Sequence, residues 1–256
     1  MPDYFASPRR KLARAKAYIS DLESKCSRFI DEHAWTGPVE INPNPFGTNR
    51  PHKEFKITLN QAFPDIFSDI TANAISNLRS TLDHLGYAAA KCSGVIVPRN
   101  AAFPFGDTPV NFENAIKGRC KDIPPDIVAM IRTFHPYKTQ DGNVLLCAIN
   151  DIANLDKHAI VTPIGVRPVA DTALNVTGTI PGFLYRWNAA DNEIIYRVLW
   201  SQADDNLRVA LDIGFGEIPN MTGKPVTGLL HAMAYEVENI LVALEAECRI
   251  LFPNAF

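Results

Sequence analysis

The residues best suited to chemistry lie in the stretch Asn77–Leu85, which reads NLRSTLDHL. It combines a guanidinium (Arg79), a carboxylate (Asp83) and an imidazole (His84). Arg79 and Asp83 are four residues apart, so on a helix they can form an ion pair, worth about 0.2–0.5 kcal/mol at an exposed surface. Arginine binds phosphates and carboxylates, and histidine exchanges protons near neutral pH. The stretch predicts either a solvated helix face or one wall of a polar cleft.

A second dense polar stretch runs from Asn150 to His158. If a helix continues that far, Asp156 falls on its apolar side, and a buried carboxylate needs a partner. Arg79, His84 and His158 are the candidate partners. Three interpretations stay open: a helix end whose basic residues complement the dipole, a salt bridge between two helices, and a reactive site. We predict that Arg79, His84 and Asp156 share one cleft.

Two long amphipathic helices must position these residues. Residues 9–33 carry apolar side chains at alternating steps of three and four, which predicts a helix that packs on another helix. A second such pattern runs from about residue 63 to residue 91 and contains Asn77–Leu85. Its apolar stripe is formed by Ile75, Leu78, Leu82 and Leu85, opposite a polar side with Arg79. We expect the two helices to pack antiparallel.

The remaining segments predict a mixed fold. Short helices are expected at about 110–117, 125–134 and 143–157, and a hairpin from Val39–Ile41 and Phe55–Leu59 between the long helices. After residue 158, β-branched or alternating runs predict an antiparallel sheet of four or five strands, drawn from Ala159–Val169, Ala173–Ile180, Phe183–Trp187, Glu193–Trp200 and Asn206–Phe215.

The fold class is therefore α+β, in a single domain over residues 1–256. We expect a long antiparallel helical hairpin or bundle over about 9–158 and the sheet over about 159–216. A C-terminal helix over about 226–251 then packs on that sheet, through a stripe of Leu230, Met233, Val237, Ile240, Leu241 and Leu244.

Composition narrows the class of protein. An apolar fraction of 46% and a net charge of −3 are those of an ordinary soluble protein. Nucleic acid would need a local basic patch, such as the cluster Arg9, Arg10, Lys11, Arg14 and Lys16. The five scattered cysteines contain no Cys-x-x-Cys pair, which argues against a disulfide framework and a thiolate zinc site. Without a signal-like or membrane-spanning segment, we expect a cytoplasmic protein with no membrane partner.

Four motifs resemble those of a large bacterial protein family without an established activity. Asn77–Leu85 resembles Asn-Leu-Arg-Ser-Ala-Leu-Asp-His-Leu, and the other three motifs resemble Phe-Pro-Ile, Gln-Pro-Tyr and Asp-Lys-His. They stand here as Phe103-Pro104-Phe105, His135-Pro136-Tyr137 and Asp156-Lys157-His158. Their order and spacing match over roughly residues 9–165. The resemblance implies a family and no mechanism.

A looser resemblance is to HEPN-type helical domains, many of which are metal-independent ribonucleases. These carry an Arg and a His on one helix, as Arg79 and His84 stand here. The resemblance implies Arg79 on the phosphate and His84 as acid or base, with Asp83 or Asp156 orienting the imidazole. Such domains are all-helical and commonly have Asn, Asp or His where this chain has Ser80. On one helix Arg79 and His84 lie about 140° apart, so they would converge only across a groove, as between two protomers.

Three functions stay open: a HEPN-like metal-independent endoribonuclease acting on RNA, a small-molecule hydrolase using His84, Asp156 and His158, and a non-enzymatic binding or scaffold protein with an interhelical polar network. The candidate catalytic residues are Arg79, Asp83, His84, Asp156 and His158. The candidate substrate-binding residues are Asn77, Ser80, Tyr87 and Lys157. We expect no metal and no cofactor, and a homodimer through the long helices.

Overall fold

The computed structural model describes residues 2–32, 35–41, 52–158, 164–171, 184–188, 193–199, 208–215 and 224–256. For some residues within these ranges it describes the backbone and not the side chain. The fold class is α+β, as predicted. The chain divides into two compact units, and the single domain expected over residues 1–256 stays a prediction. A helical unit takes residues 1–21, 69–162 and 227–256, and a sheet unit takes residues 22–68 and 163–226.

The described helices follow the predicted order, with ends that differ by up to three residues. They are α1 (Ala6–Asp31), α2 (Ile66–Cys92), α3 (Pro109–Arg119), α4 (Pro125–Thr133), α5 (Val144–His158) and α6 (Val226–Leu251). α3 begins where the Thr108 side chain accepts a hydrogen bond from the Asn111 N–H, with Pro109 at the first helical position, a common N-terminal arrangement. None of the described helices has the length and hydropathy of a membrane-spanning segment.

In the helical unit, α1 and α2 run antiparallel as expected. Lys91 lies over the ring of Tyr4, and Ser7 lies beside His84, so advancing along α1 means going back along α2. The α2 stripe predicted to be apolar is fully buried, with 0% exposure at Ile75, Leu78, Leu82 and Leu85.

The C-terminal helix α6 makes its described side-chain contacts within the helical unit. Arg9 of α1 lies 2.6 Å from Glu245, and Lys16 of α1 lies 2.6 Å from Glu238, so α1 and α6 are also antiparallel. All six residues of the predicted α6 stripe are buried. The predicted stripe therefore faces a core, and two described ion pairs connect α6 to α1.

A glycine on α2 lets the following loop approach the helix closely. A Cβ on Gly86 would lie 2.3 Å from the carbonyl oxygen of Ala101, far inside van der Waals contact. Glycine at this position brings the loop of Phe103 and Phe105 against the turn of α2 that carries Asp83.

The sheet unit contains two antiparallel sheets. One has the order β1 (Trp35–Ile41), β2 (His52–Leu59), β5 (Glu193–Leu199), β4 (Leu184–Asn188). The other pairs β3 (Ile164–Asp171) with β6 (Arg208–Phe215). The predicted hairpin is present, but it joins β5 and completes the four-stranded sheet instead of standing apart. The predicted strand 173–180 lies outside the described residues.

The hairpin also begins earlier than predicted. β1 starts at Trp35, and its pairing with β2 shifts register between Thr36 and Val39. This irregularity falls at Gly37 and Pro38, two residues that weaken regular strand pairing. The core of this unit includes Ile57, Ile194 and Tyr196, the last stacked on Phe55 with ring centroids 5.3 Å apart.

Candidate functional site

Arg79 is a buried cation that joins three parts of the helical unit. It is 8% exposed. Its Nε donates a hydrogen bond to Oδ1 of Asn150 on α5 at 3.2 Å, and its guanidinium lies over the ring of Phe105, 4.7 Å from the centroid. The predicted solvated side of α2 is thus covered at this position, by α5 and by the loop after α2.

Asp83 is the anionic partner of Arg79, with Oδ1 2.6 Å from Nη1. The same oxygen accepts a hydrogen bond from the backbone N–H of Phe103 at 3.1 Å. The Nη1 contact is close enough for an ion pair but does not have hydrogen-bond geometry, and Nη1 has no other acceptor among the described residues. A buried guanidinium nitrogen therefore keeps an unused donor.

The loops that carry the Phe-Pro and His-Pro-Tyr motifs meet beside this network. The Gly106 N–H donates to the Pro136 carbonyl at 3.1 Å, and the Lys138 N–H donates to the Asp107 carbonyl at 3.2 Å. A Cβ on Gly106 would lie 2.3 Å from the Phe112 nitrogen, so only glycine permits this approach. His135 has a left-handed backbone, with φ +48°, at the turn that reverses the chain.

Lys138 links two carboxylates at this junction. Its Nζ lies 2.8 Å from Asp107 and 2.9 Å from Asp151 of α5. Hydrogen bonds to Asp107 and Asp151 raise the pKa of Lys138 to about 12. The three groups together carry one negative charge at neutral pH.

A cleft of about 220 Å³ opens in the helical unit between these groups. Its lining residues come from the two loops, from α3 and from α5: Phe105, Gly106, Asp107, Asn111, Lys138, Cys147 and Asn150. Arg79 lies directly behind Phe105 and Asn150, because it contacts both. The lining of the cleft thus includes the amide of Asn150, which contacts the buried guanidinium, and Asp107 and Lys138, which form an ion pair.

His84 lies apart from the Arg79 network. Its Nδ1 is 2.8 Å from Oγ of Ser7 on α1, and the side chain is half-buried. Burial lowers the pKa of His84, nearby Lys11 lowers it further, and Asp83 raises it. The lowered pKa favours the neutral imidazole. Convergence of Arg79 and His84 between two protomers stays a prediction.

The remaining predicted site residues divide into described and undescribed ones. Asn77 is half-buried and donates its side-chain amide to the Asn73 carbonyl at 2.8 Å. Ser80 is half-buried and Tyr87 is 49% exposed. The side chains of Asp156, Lys157 and His158 lie outside the described part of the structure, so their predicted roles stay predictions.

Five contributors to the two sites were missed by sequence reasoning. They are Ser7, Phe105 and Lys138 as side chains in contact, Asn150 as the partner of Arg79, and Lys11 as the cation near His84. The stretch from Asn150 to His158 had been marked as polar, which was the available signal for Asn150. Phe105 had been marked in the Phe103-Pro104-Phe105 motif and Lys11 in the basic cluster, but their contacts, like those of Ser7 and Lys138, could not be read from the sequence.

The described residues contain no group of three His, Cys, Asp or Glu side chains placed to hold a metal ion. Burial raises the pKa of the Cys147 thiol in the cleft wall to about 11, so this sulfur is protonated and a poor nucleophile at neutral pH. The cleft offers hydrogen bonds and charge more than covalent chemistry.

The fold and the cleft together define an α+β protein whose helical unit holds a polar cleft backed by a buried arginine. Comparisons with protein-family models, with curated proteins and with solved structures give no match to this chain.

Proposed function

We propose that the cleft beside Arg79 is a non-catalytic binding site of the helical unit, and that it binds a small zwitterion such as a free amino acid. The observation that carries this proposal is the unused Nη1 donor of a side chain that is only 8% exposed. Asp83 Oδ1, 2.6 Å away, offsets the charge of this nitrogen, and a ligand oxygen that reaches Nη1 past Asn150 supplies the hydrogen bond that the ion pair lacks.

The charges of the cleft favour a ligand with two opposite ends. Arg79 balances Asp83, and the amide of Asn150 presents further N–H donors because its oxygen already accepts from Arg79. The part of the cleft beside Asn150 therefore suits the carboxylate of a ligand. Asp107, Asp151 and Lys138 sum to one negative charge, which suits an ammonium group.

The size of the cleft favours a small molecule. A volume of about 220 Å³ holds about seven water molecules at ~30 Å³ each. A ligand with a similar number of non-hydrogen atoms fills it, which matches a small amino acid, whereas a nucleotide would extend well outside it.

The test is isothermal titration of the full chain with a small amino acid, with its decarboxylated amine and with its deaminated carboxylic acid. We expect binding of the zwitterion and at least tenfold weaker binding of each analogue, since about 1.4 kcal/mol of lost pairing is tenfold in affinity. The zwitterion also stabilises the fold by about 2.7 kcal/mol at a concentration one hundred times its Kd.

Two variants connect binding to the cleft. Lys138→Met leaves Asp107 and Asp151 without their cation and changes the preference toward the amine. Lys121→Met, at an exposed lysine outside the cleft lining, serves as the matched control. Equal heats for all three compounds, or no heat with any amino acid, would contradict the proposal.

The metal-independent endoribonuclease is the second candidate. It is favoured by His84, a neutral imidazole beside Lys11, since this chemistry needs a group that exchanges protons and a cation near the phosphate. The burial of Arg79 gives the phosphate-binding role to Lys11 instead. Cleavage of mixed-sequence RNA in EDTA by the wild-type chain, lost in His84→Ala, is the expected result, and equal activity in both proteins would remove His84 from the mechanism.

A further inference from the structure

A serine and a histidine form a close pair on the α1–α2 face of the helical unit. Ser7 Oγ lies 2.8 Å from His84 Nδ1, within the range of an O–H···N hydrogen bond. When the neutral imidazole carries its proton on Nε2, Nδ1 is an acceptor and the serine hydroxyl donates to it. Both side chains are half-buried, so a small reagent can reach them.

The surroundings of His84 favour its neutral form, which is the form that can accept a proton. Its burial and the charge of Lys11 outweigh the charge of Asp83, and the pKa of His84 is lowered. A neutral imidazole in hydrogen-bonding contact with a hydroxyl is the arrangement that activates serine nucleophiles. Asp83 is turned to Arg79 and to the Phe103 N–H, so it does not compete with Ser7 for the imidazole.

Two positive groups belong to the same helical face as Ser7 or to its own backbone. Ser7 is the second residue of α1, so its backbone N–H has no acceptor inside the helix. Lys11 follows four residues later on the same helical face, and it is close enough to His84 to influence its pKa. The helix N-terminus favours negative charge that develops on the acyl oxygen, and Lys11 favours a negatively charged group elsewhere on the substrate.

We propose that Ser7 is a nucleophile activated by His84, and that this face hydrolyses small activated esters whose acyl group carries a carboxylate recognised by Lys11. The site is separate from the cleft, which is lined by other residues. It also differs from the ribonuclease candidate, because RNA supplies its own 2′-hydroxyl and has no use for Ser7.

The reaction balances with water as the only second reactant. Ser7 Oγ bonds to the acyl carbon while its proton moves to His84 Nδ1. The ester C–O bond then breaks, and the leaving alkoxide takes that proton and departs as an alcohol. A water molecule next gives a proton to Nδ1 and attacks the acyl-serine, and release of the carboxylic acid returns the proton to Ser7 Oγ.

The first experiment treats the full chain with a fluorophosphonate probe and maps the adduct by mass spectrometry. Ser7 Oγ forms a bond to phosphorus, the phosphorus–fluorine bond breaks, and the serine proton passes to His84. We expect the adduct on Ser7 in the wild type and in Ser20→Ala, a control at an exposed serine of the same helix. Absence of a Ser7 adduct in the wild-type chain overturns the proposal without recourse to any variant.

The second experiment measures hydrolysis of para-nitrophenyl hemisuccinate and para-nitrophenyl acetate. We expect loss of turnover in Ser7→Ala and roughly a hundredfold lower kcat in His84→Gln, the usual size of a general-base contribution. Lys11→Met raises KM for the hemisuccinate and leaves KM for the acetate unchanged. Turnover in Ser7→Ala equal to wild type overturns the proposal. RNA cleavage that persists in Ser7→Ala assigns the ribonuclease to a mechanism without this serine.

Discussion

Arg79 and His84 stand five residues apart on one helix and meet opposite environments. Arg79 is covered by α5 and by the Phe103–Phe105 loop, and its contacts are an ion pair, a hydrogen bond and a ring. His84 faces α1, is half-buried, and has one described hydrogen bond, to Ser7. The covered side is the one for which we propose ligand binding, and the open side is the one for which we propose proton transfer. The neighbours that cover each face of the helix therefore decide which groups remain accessible.

The chain offers an exposed counterpart of Arg79 for measuring the effect of burial. Arg249 also pairs with a carboxylate one helical turn away, Glu245 at 2.8 Å, and also lies over a ring, Phe256 at 4.2 Å. Its side chain is 55% exposed, while that of Arg79 is 9% exposed. The interactions are of the same kinds, and the environment is the main difference.

The largest expected effect is on folding stability. Arg79→Ala leaves Asp83 without its cation, leaves the Asn150 oxygen without a donor, and opens space under Phe105. We expect a loss of about 3 kcal/mol in the free energy of unfolding, measured by urea denaturation. Arg249→Ala should cost less than about 1 kcal/mol, because exposed ion pairs contribute little. Equal losses in the two variants would show that burial does not distinguish the two arginines.

The helical periodicity predicted the packing of α2 well, because apolar side chains must be buried wherever the chain goes. All four stripe residues are fully buried, and the Arg79–Asp83 ion pair follows from their spacing. The cover over Arg79 could not be predicted in the same way. It depends on Gly86 allowing the Ala101 backbone to approach, and on Asn150, 71 residues further along the chain.

The sheet shows the same limit. Alternation indicated strands at 55–59 and 193–200, because a half-buried strand alternates in polarity. It carried no information about which strand pairs with which, so the hairpin was expected apart from the sheet. In the structure β2 pairs with β5 over residues His52–Thr58. Pairing between distant segments is set by the register of whole strands, which no local pattern contains.

A second prediction tests the cleft beside Arg79 through the reactivity of Cys147, which lines it. Burial raises the pKa of Cys147 to about 11, whereas an unfolded thiol has a pKa of about 8.5. At pH 8 the thiolate is then roughly two hundred times scarcer in the folded chain, and alkylation by iodoacetamide should slow in proportion. The rate should increase about tenfold per pH unit up to pH 10, followed by mass spectrometry of the peptide that contains Cys147.

Cys120 is the matched control for this measurement. Burial also raises its pKa to about 11, and it does not line the cleft. A ligand in the cleft should slow alkylation of Cys147 further and leave Cys120 unchanged. Protection of both thiols to the same degree would indicate general stabilisation instead of occupancy of the cleft.

The smallest expected effect concerns the open side and its dependence on pH. The pKa of His84 is lowered from 6.5 in the folded chain by burial and by Lys11, against the opposing charge of Asp83. Below pH 6.5 the unfolded chain therefore binds a proton that the folded chain does not, and unfolding is favoured. The stabilising contribution of a neutral His84 is complete above pH 6.5 and is lost as the pH falls from 6.5 through the folded pKa.

Urea denaturation at pH 7.5 and at pH 5.5 measures this loss. Between these two pH values, the free energy of unfolding should decrease less in His84→Gln than in the wild type. His135→Asn, an exposed histidine replaced by a residue that tolerates its left-handed backbone, should retain the wild-type decrease. A His84→Gln chain with an unchanged decrease would mean that other groups set the acid sensitivity and that the open side contributes none of it.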